Sequence, residues 1–477
     1  MADKTASHNT QLKGQNDAGY LEQRQLKRFA GPLLLWGLGV GYVISGDYFG
    51  WNFGLTAGGF WGLAIATVLM AIMYTTMCYT IAELSTAIPF TGGAYAFARK
   101  AMGPWGGYLA GTGVVLEYVL APAVIANGIA GYINFLFPDI PKWALVVGVY
   151  IIFLAMNSLG AKSTLTFELG MTVIAIVGLV IFAVLAIPHF DISRVLDIEP
   201  SAGNSAILPH GFFGIWAAIP YAIWLFLAIE GLPLVSEECK NPARDMPKGL
   251  ISSIITLVIT AFLVLFLSAG TGGSAAIGGS DSPLPDAVGA IFGTGHWAIK
   301  GLAIIGLAGL IASFNGIIFG YGRAIFAMSR AGYLPKFLSV THPRFHTPHV
   351  AILVGGIIGI VFAIVGNGDV LIQIAVFGAV ISYIMMMLSA IVLRKKEPNM
   401  NRPFKVPGYP VTTYLALILA VLALFAGFFY APDVILWTAL AYLIFVAYFA
   451  LYSRHHLVAK APEEEFAIVA EAEKELA

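Results

Sequence analysis

Apolar residues in this chain come in long uninterrupted blocks, and polar residues gather in the short stretches between them. A helix crosses a bilayer with about 20 mostly apolar residues at ~1.5 Å rise each. Blocks of that kind lie near residues 33–58, 60–87, 106–137, 143–159, 165–188, 211–236, 249–277, 297–326, 350–367, 370–393, 411–430 and 433–452. In lipid the backbone must satisfy its own hydrogen bonds within a segment, so these twelve blocks, spans 1 to 12, are predicted to be helices. The expected fold is all-α and polytopic. A tail at 1–30 precedes one transport domain over 31–455, and a second tail, rich in Glu and Ala, covers 456–477.

Composition supports a membrane setting. Hydrophobic residues make up 58% and charged residues 11%, whereas a soluble domain carries about a quarter charged residues. The formal charge is zero, so no basic field points to nucleic acid. With the N-terminus in the cytoplasm and the chain alternating, only Lys142, Arg194 and Lys300 of the 26 Lys and Arg fall outside. The positive-inside rule then places both termini in the cytoplasm, which predicts a multi-pass protein of the inner (plasma) membrane. The first 30 residues are polar and the first apolar block is long enough to span, so no cleavable signal peptide is expected. Cys78 falls inside a span and Cys239 at a cytoplasmic edge, a poor prospect for a disulfide. Gly37-Leu38-Gly39-Val40-Gly41 has dinucleotide-loop spacing but lies inside a span with no strand before it. No catalytic constellation, metal site or cofactor motif stands out. The chain reads as a carrier and not an enzyme, with a receptor or channel as the other class.

Ionisable residues within spans are costly, about 2.5–3.5 kcal/mol each on insertion scales, and are functional candidates for that reason. The central ones are Asp47 in span 1, Glu117 in span 3 and Glu230 in span 6; no Lys or Arg lies near the middle of any span. An acidic interior without basic partners suits a cationic substrate, a bound cation or protonated carboxyls. Glu83 and Glu168 lie near cytoplasmic ends, where snorkelling would account for them.

Asp47 lies in Ser45-Gly46-Asp47-Tyr48-Phe49-Gly50, a polar and glycine-rich interruption of span 1. Glu230 lies in Ala228-Ile229-Glu230-Gly231, between Pro220 and Pro233 of span 6. Paired interruptions of this kind mark the central site of a transporter built from inverted repeats, here approximately 33–188 and 211–393 with two further helices to 452. The plainer reading is that the glycines ease packing and the carboxyls are buried neutral. Asp47 is the fifteenth residue of 26 and near the midplane, whereas Glu230 is the twentieth of 26 and ~10 Å nearer the cytoplasm at helical rise. Asp47 is therefore the candidate partner of the substrate cation and Glu230 the inner edge of the site. Tyr48, Trp51, Tyr118, Trp216, Tyr221 and Trp224 surround this level as ammonium-binding or gating faces, although an interfacial belt better explains Trp51 and Trp216. Ser313, Asn315 and Gln373 either line the path or bond helix to helix.

Three segments resemble signatures of the amino acid–polyamine–organocation superfamily. They are Ser236-Glu237-Glu238-Cys239-Lys240-Asn241-Pro242-Ala243-Arg244-Asp245-Met246-Pro247-Lys248, Pro89-Phe90-Thr91-Gly92-Gly93-Ala94-Tyr95 and Arg323-Ala324-Ile325-Phe326-Ala327-Met328-Ser329-Arg330-Ala331-Gly332-Tyr333-Leu334-Pro335. Within that superfamily the chain looks most like the ethanolamine permeases, through residues 41–52, 117–123 and 312–319. The resemblance implies a LeuT-like 5+5 inverted repeat with broken helices 1 and 6 and a gating role for Trp224. Amino acid members have a small uncharged break in span 1 whose N–H groups hold the substrate carboxylate; here Asp47 stands in it. Span 5 also lacks the Lys of some proton-coupled relatives.

The expected function is uptake of a small primary amino alcohol, ethanolamine foremost, by alternating access. The alternative is an amino acid or another amine such as choline. The substrate-binding candidates are Ser45, Gly46, Asp47, Tyr48, Glu117, Tyr118, Trp224, Glu230, Ser313 and Asn315. The coupling or gating candidates are Glu230, Trp224 and Glu168. The expected partners are a small cationic amine and the bilayer. The coupling ion is left open: a proton on Glu230 or Glu117, or sodium held by carbonyls at the break and Ser313.

Overall fold

The computed structural model describes residues 28–293 and 296–458; the tails expected at 1–30 and 456–477 lie almost wholly outside them. The described residues are helical throughout apart from loops and one isolated bridge between Ala30 and Cys239. Among the described residues, ten helices are long and apolar enough to cross a membrane. His349–Val365 is shorter, and span 1 is divided into pieces each too short to be counted. Together these account for the twelve predicted spans.

Boundaries differ where glycine turns the chain. Span 1 comprises Pro32–Val43 and Ser45–Tyr48 and ends there, not at 58. Phe49 is extended and Gly50 adopts φ +96°, a left-handed conformation suited to glycine. The next helix, Phe53–Ala87, turns at Gly59 (φ +71°) before entering span 2 proper. Asp47 is thus one residue from the end of a 17-residue stretch, beyond the middle of the span where counting had placed it. Span 6 is interrupted after Phe213–Trp224, and Ala228 takes a left-handed φ of +84° before a tighter 3-10 segment, Ile229–Glu238. The interrupted helices stand first and sixth, as the repeat requires.

Span 6 is enclosed along its length, while spans 4, 11 and 12 present much of their apolar surface outward. Small residues let helices close up inside: a Cβ on Gly113 of span 3 would lie 2.7 Å from the Gly378 carbonyl of span 10. Between spans 7 and 8, short helices Ser274–Gly278 and Pro283–Phe292 cover one end of the bundle.

The opposite end carries the first and last described residues, with Phe29 bonded to Glu238 and Val458 to Ala331. There the three signature segments meet. Arg323 makes a two-pronged ion pair with Glu238 at 2.8 Å for each contact, and Arg330 Nη2 meets Glu237 Oε1 at 2.8 Å. The Thr91 amide donates to Glu237 Oε1 (2.9 Å), and the Glu237 amide donates to Thr91 Oγ1 (3.2 Å). Glu83 does not snorkel. It is buried, with Arg394 Nη2 at 2.5 Å, Arg402 Nε at 3.2 Å and the Val406 amide at 2.8 Å.

Candidate substrate site between the interrupted helices

The two interruptions hold each other in place. The Trp224 indole donates to the Phe49 carbonyl (2.9 Å), which the turn at Gly50 has freed. Gly46 and Gly50 are packed so closely that a Cβ would lie 2.6 Å from the Trp224 carbonyl and 2.5 Å from its indole nitrogen, respectively. On the other face of span 1, the Ser313 hydroxyl of span 8 donates to the Gly41 carbonyl (2.6 Å) and accepts from the Ser45 amide (2.8 Å). Those backbone groups would otherwise bond each other, i to i+4. A side chain inserted into the ladder is a recognised cause of a kink, and the helix is discontinuous at Ile44 between them.

Four N–H groups of the break are already engaged. Besides the Ser45 amide, Asp47 N–H donates to Ile44 O (3.1 Å), Phe49 N–H to Ser45 O (2.9 Å) and Gly50 N–H to Asn52 Oδ1 (3.1 Å). Asn52 also clamps this turn to the cover, donating to Ile277 O (2.8 Å) and Ser280 O (2.9 Å). Sequence reading missed Asn52, since a lone polar residue past a glycine turn carries no signal of a partner more than 200 residues away.

The acids fall into three separate places. Asp47 is fully buried and neither carboxyl oxygen has a hydrogen-bond partner. The Thr260 hydroxyl of span 7 lies beside it, but its donor is aimed at the Leu257 carbonyl (3.2 Å). Glu117 and Glu230 form a second group, their carboxyls within electrostatic reach of each other. No donor is aligned on any of their four oxygens, although the Tyr383 hydroxyl stands beside Glu230. Tyr383 bonds Tyr74 (2.8 Å). The fourth acid, Glu168, occupies the third place; it is likewise fully buried and does not snorkel. It accepts from Asn315 Nδ2 (2.6 Å), away from the other acids.

The aromatic candidates mostly support backbone. The Tyr118 hydroxyl donates to Ala228 O (2.5 Å) in the span 6 break, and Gly231 leaves room for it. The Tyr48 hydroxyl turns away to Ala175 O of span 5 (2.6 Å). Trp51 is fully buried, contrary to the interfacial-belt reading, while Trp216 is part-exposed. Tyr221 donates to Asp369 Oδ1 (2.6 Å), and Gln373 also reaches Asp369 (3.3 Å). Gln373 lines a cavity of about 10 Å³ beside Pro220, room for one water at most.

A family model described as amino acid permease matches residues 35–451. The chain belongs to this family. An uncharacterized transporter of Rhizobium meliloti is 32% identical over 85% of this chain and 88% of its own length. A branched-chain amino acid permease of Bacillus subtilis is 27% identical, covering 91% and 95% of the two chains. A methylthioribose transporter of the same organism is also 27% identical, over 88% and 92%. This permease is therefore a multi-pass membrane transporter of the amino acid–polyamine–organocation superfamily, taking a small amino-acid-like solute across a bilayer.

Proposed function

We propose that this permease imports a small primary amine lacking a carboxylate, an amino alcohol such as ethanolamine, by alternating access in the plasma membrane with both termini cytoplasmic. One observation carries the reading: Asp47, buried and unpartnered, stands in the break of span 1 where four backbone N–H groups are already engaged. A substrate carboxylate would find these four donors taken and a like charge beside them. An ammonium would find an acceptor with both oxygens free. Loss of hydration on entry is offset by the carboxylate and by nearby aromatic rings. Glu117 and Glu230, with no basic partner, form the second acidic station on the path, and Trp224 is the residue that must release Phe49 when the breaks separate.

Relatives named for amino acids and for a thioribose show how far specificity ranges at this level of identity. The decisive measurement is competition for uptake in proteoliposomes among ethanolamine, choline and alanine. Ethanolamine should compete and zwitterionic alanine should not. Alanine binding as tightly as ethanolamine would refute the argument from Asp47 and favour the amino acid reading.

A further inference from the structure

The amine site leaves Glu168 of span 5 unused. Its Oε2 accepts from Asn315 (2.6 Å), whose Oδ1 accepts from Asn157 Nδ2 of span 4 (2.9 Å). Its Oε1 accepts nothing. That oxygen sits in a cradle of two glycines. A Cβ on Gly41 of span 1 would run into it, and one on Gly316 of span 8 would lie 2.9 Å away. The cradle adjoins the kink, because Gly41 is the residue whose carbonyl takes the Ser313 hydroxyl.

Among the described side chains, none offers Glu168 a compensating charge. Spans 4 and 8 present the neutral amides Asn157 and Asn315, and span 5 itself adds Thr172, whose hydroxyl donates to Gly37 O (3.0 Å). Span 1 presents Tyr42, whose hydroxyl has no partner. Tyr42 is also within electrostatic reach of Glu230, Arg323 and Glu238, the last two paired with each other. An ionised Glu168 thus keeps one oxygen bare in a low-dielectric pocket, which is costly. A proton removes the charge and turns that oxygen into a donor facing the backbone of span 1. A group whose proton affinity differs between two packings shifts the balance between them. The other candidate ion is less well served, since the Ser313 hydroxyl already spends its donor on Gly41 O and accepts from Ser45 N–H.

We propose that Glu168 binds the proton that drives uptake, and that its protonation holds the N-terminal half of span 1 against span 8 at the Gly41–Ser45 kink. The driving role rests on the amine-carrier function proposed above; the proton site itself does not.

Two measurements on purified protein test this. The first needs no substrate: an infrared pH titration of the protonated-carboxyl band. Glu168→Gln should lack one titrating component that Glu168→Asp retains, and an unchanged titration in Glu168→Gln overturns the site. The second compares, in proteoliposomes, ethanolamine accumulation under an inward proton gradient with ethanolamine exchange at equilibrium. Glu168→Gln should lose gradient-driven accumulation and its pH dependence while keeping exchange within about twofold. Glu168→Asp should restore part of the accumulation. Parental accumulation in Glu168→Gln, or accumulation driven by sodium and not protons, refutes the coupling. Loss of exchange together with accumulation in both variants makes Glu168 structural and refutes it as well. If the parent moves no ethanolamine, the amine reading falls and the infrared titration still decides the proton site.

Discussion

Replacing Asp47 by Asn separates a binding role from a structural one because the two predict opposite signs. In the free protein the carboxyl is fully buried with neither oxygen bonded, and the Thr260 donor is aimed at Leu257. A buried charge without a partner contributes no favourable contact, so Asp47→Asn should leave thermal stability unchanged or raise it. With substrate bound, the same carboxylate is the group that replaces ammonium hydration. Truncating one member of a buried charge pair costs about 2–5 kcal/mol. At 1.4 kcal/mol per tenfold, affinity should fall roughly 30-fold to several thousand-fold. Asp47→Glu should bind better than Asn and worse than the parent, because Gly46 and Gly50 show how little room the break leaves beside Trp224. The assay is calorimetry of ethanolamine binding to purified, monodisperse protein, beside a melting curve. Near-parental affinity with lowered stability would sink the pairing.

Ser313→Ala removes the hydroxyl wedged between Gly41 O and Ser45 N. The helical bond can then close, so stability should change by less than ~1 kcal/mol, while transport slows and the Ser45 amide gains protection in hydrogen exchange. Glu238→Gln leaves buried Arg323 without its charge partner and should lower stability by about 3–5 kcal/mol; the joint replacement Arg323→Met with Glu238→Leu should recover most of that in melting curves. Gly231→Ala drives a methyl into the Tyr118 hydroxyl that holds Ala228 O. It should cost about 1–3 kcal/mol and abolish uptake with protein still in the membrane; normal uptake would show that the Tyr118 brace is dispensable.

Membrane insertion is a sum over one segment at a time, so the apolar blocks alone determined the number of spans, and the glycines and prolines in spans 1 and 6 marked which two would be interrupted. The signature segments likewise pointed to the family that the match over 35–451 shows. What the linear chain left undecided was every pairing. Glu83 and Glu168 lay where snorkelling explains an acid, yet Arg394 and Arg402 close over one and Asn315 reaches the other. Counting residues set Glu230 nearer the cytoplasm than Asp47, but it could not show that Glu230 stands with Glu117 while Asp47 stands beside span 7. The site of each break was set by its neighbour: Ser313 enters the ladder of Ser45 from 268 residues away, and Trp224 takes Phe49 O from 175 away. Hydrophobicity is additive along the chain and is therefore legible there. A hydrogen bond between distant segments depends on where two helices happen to touch, and only the packed structure decides that.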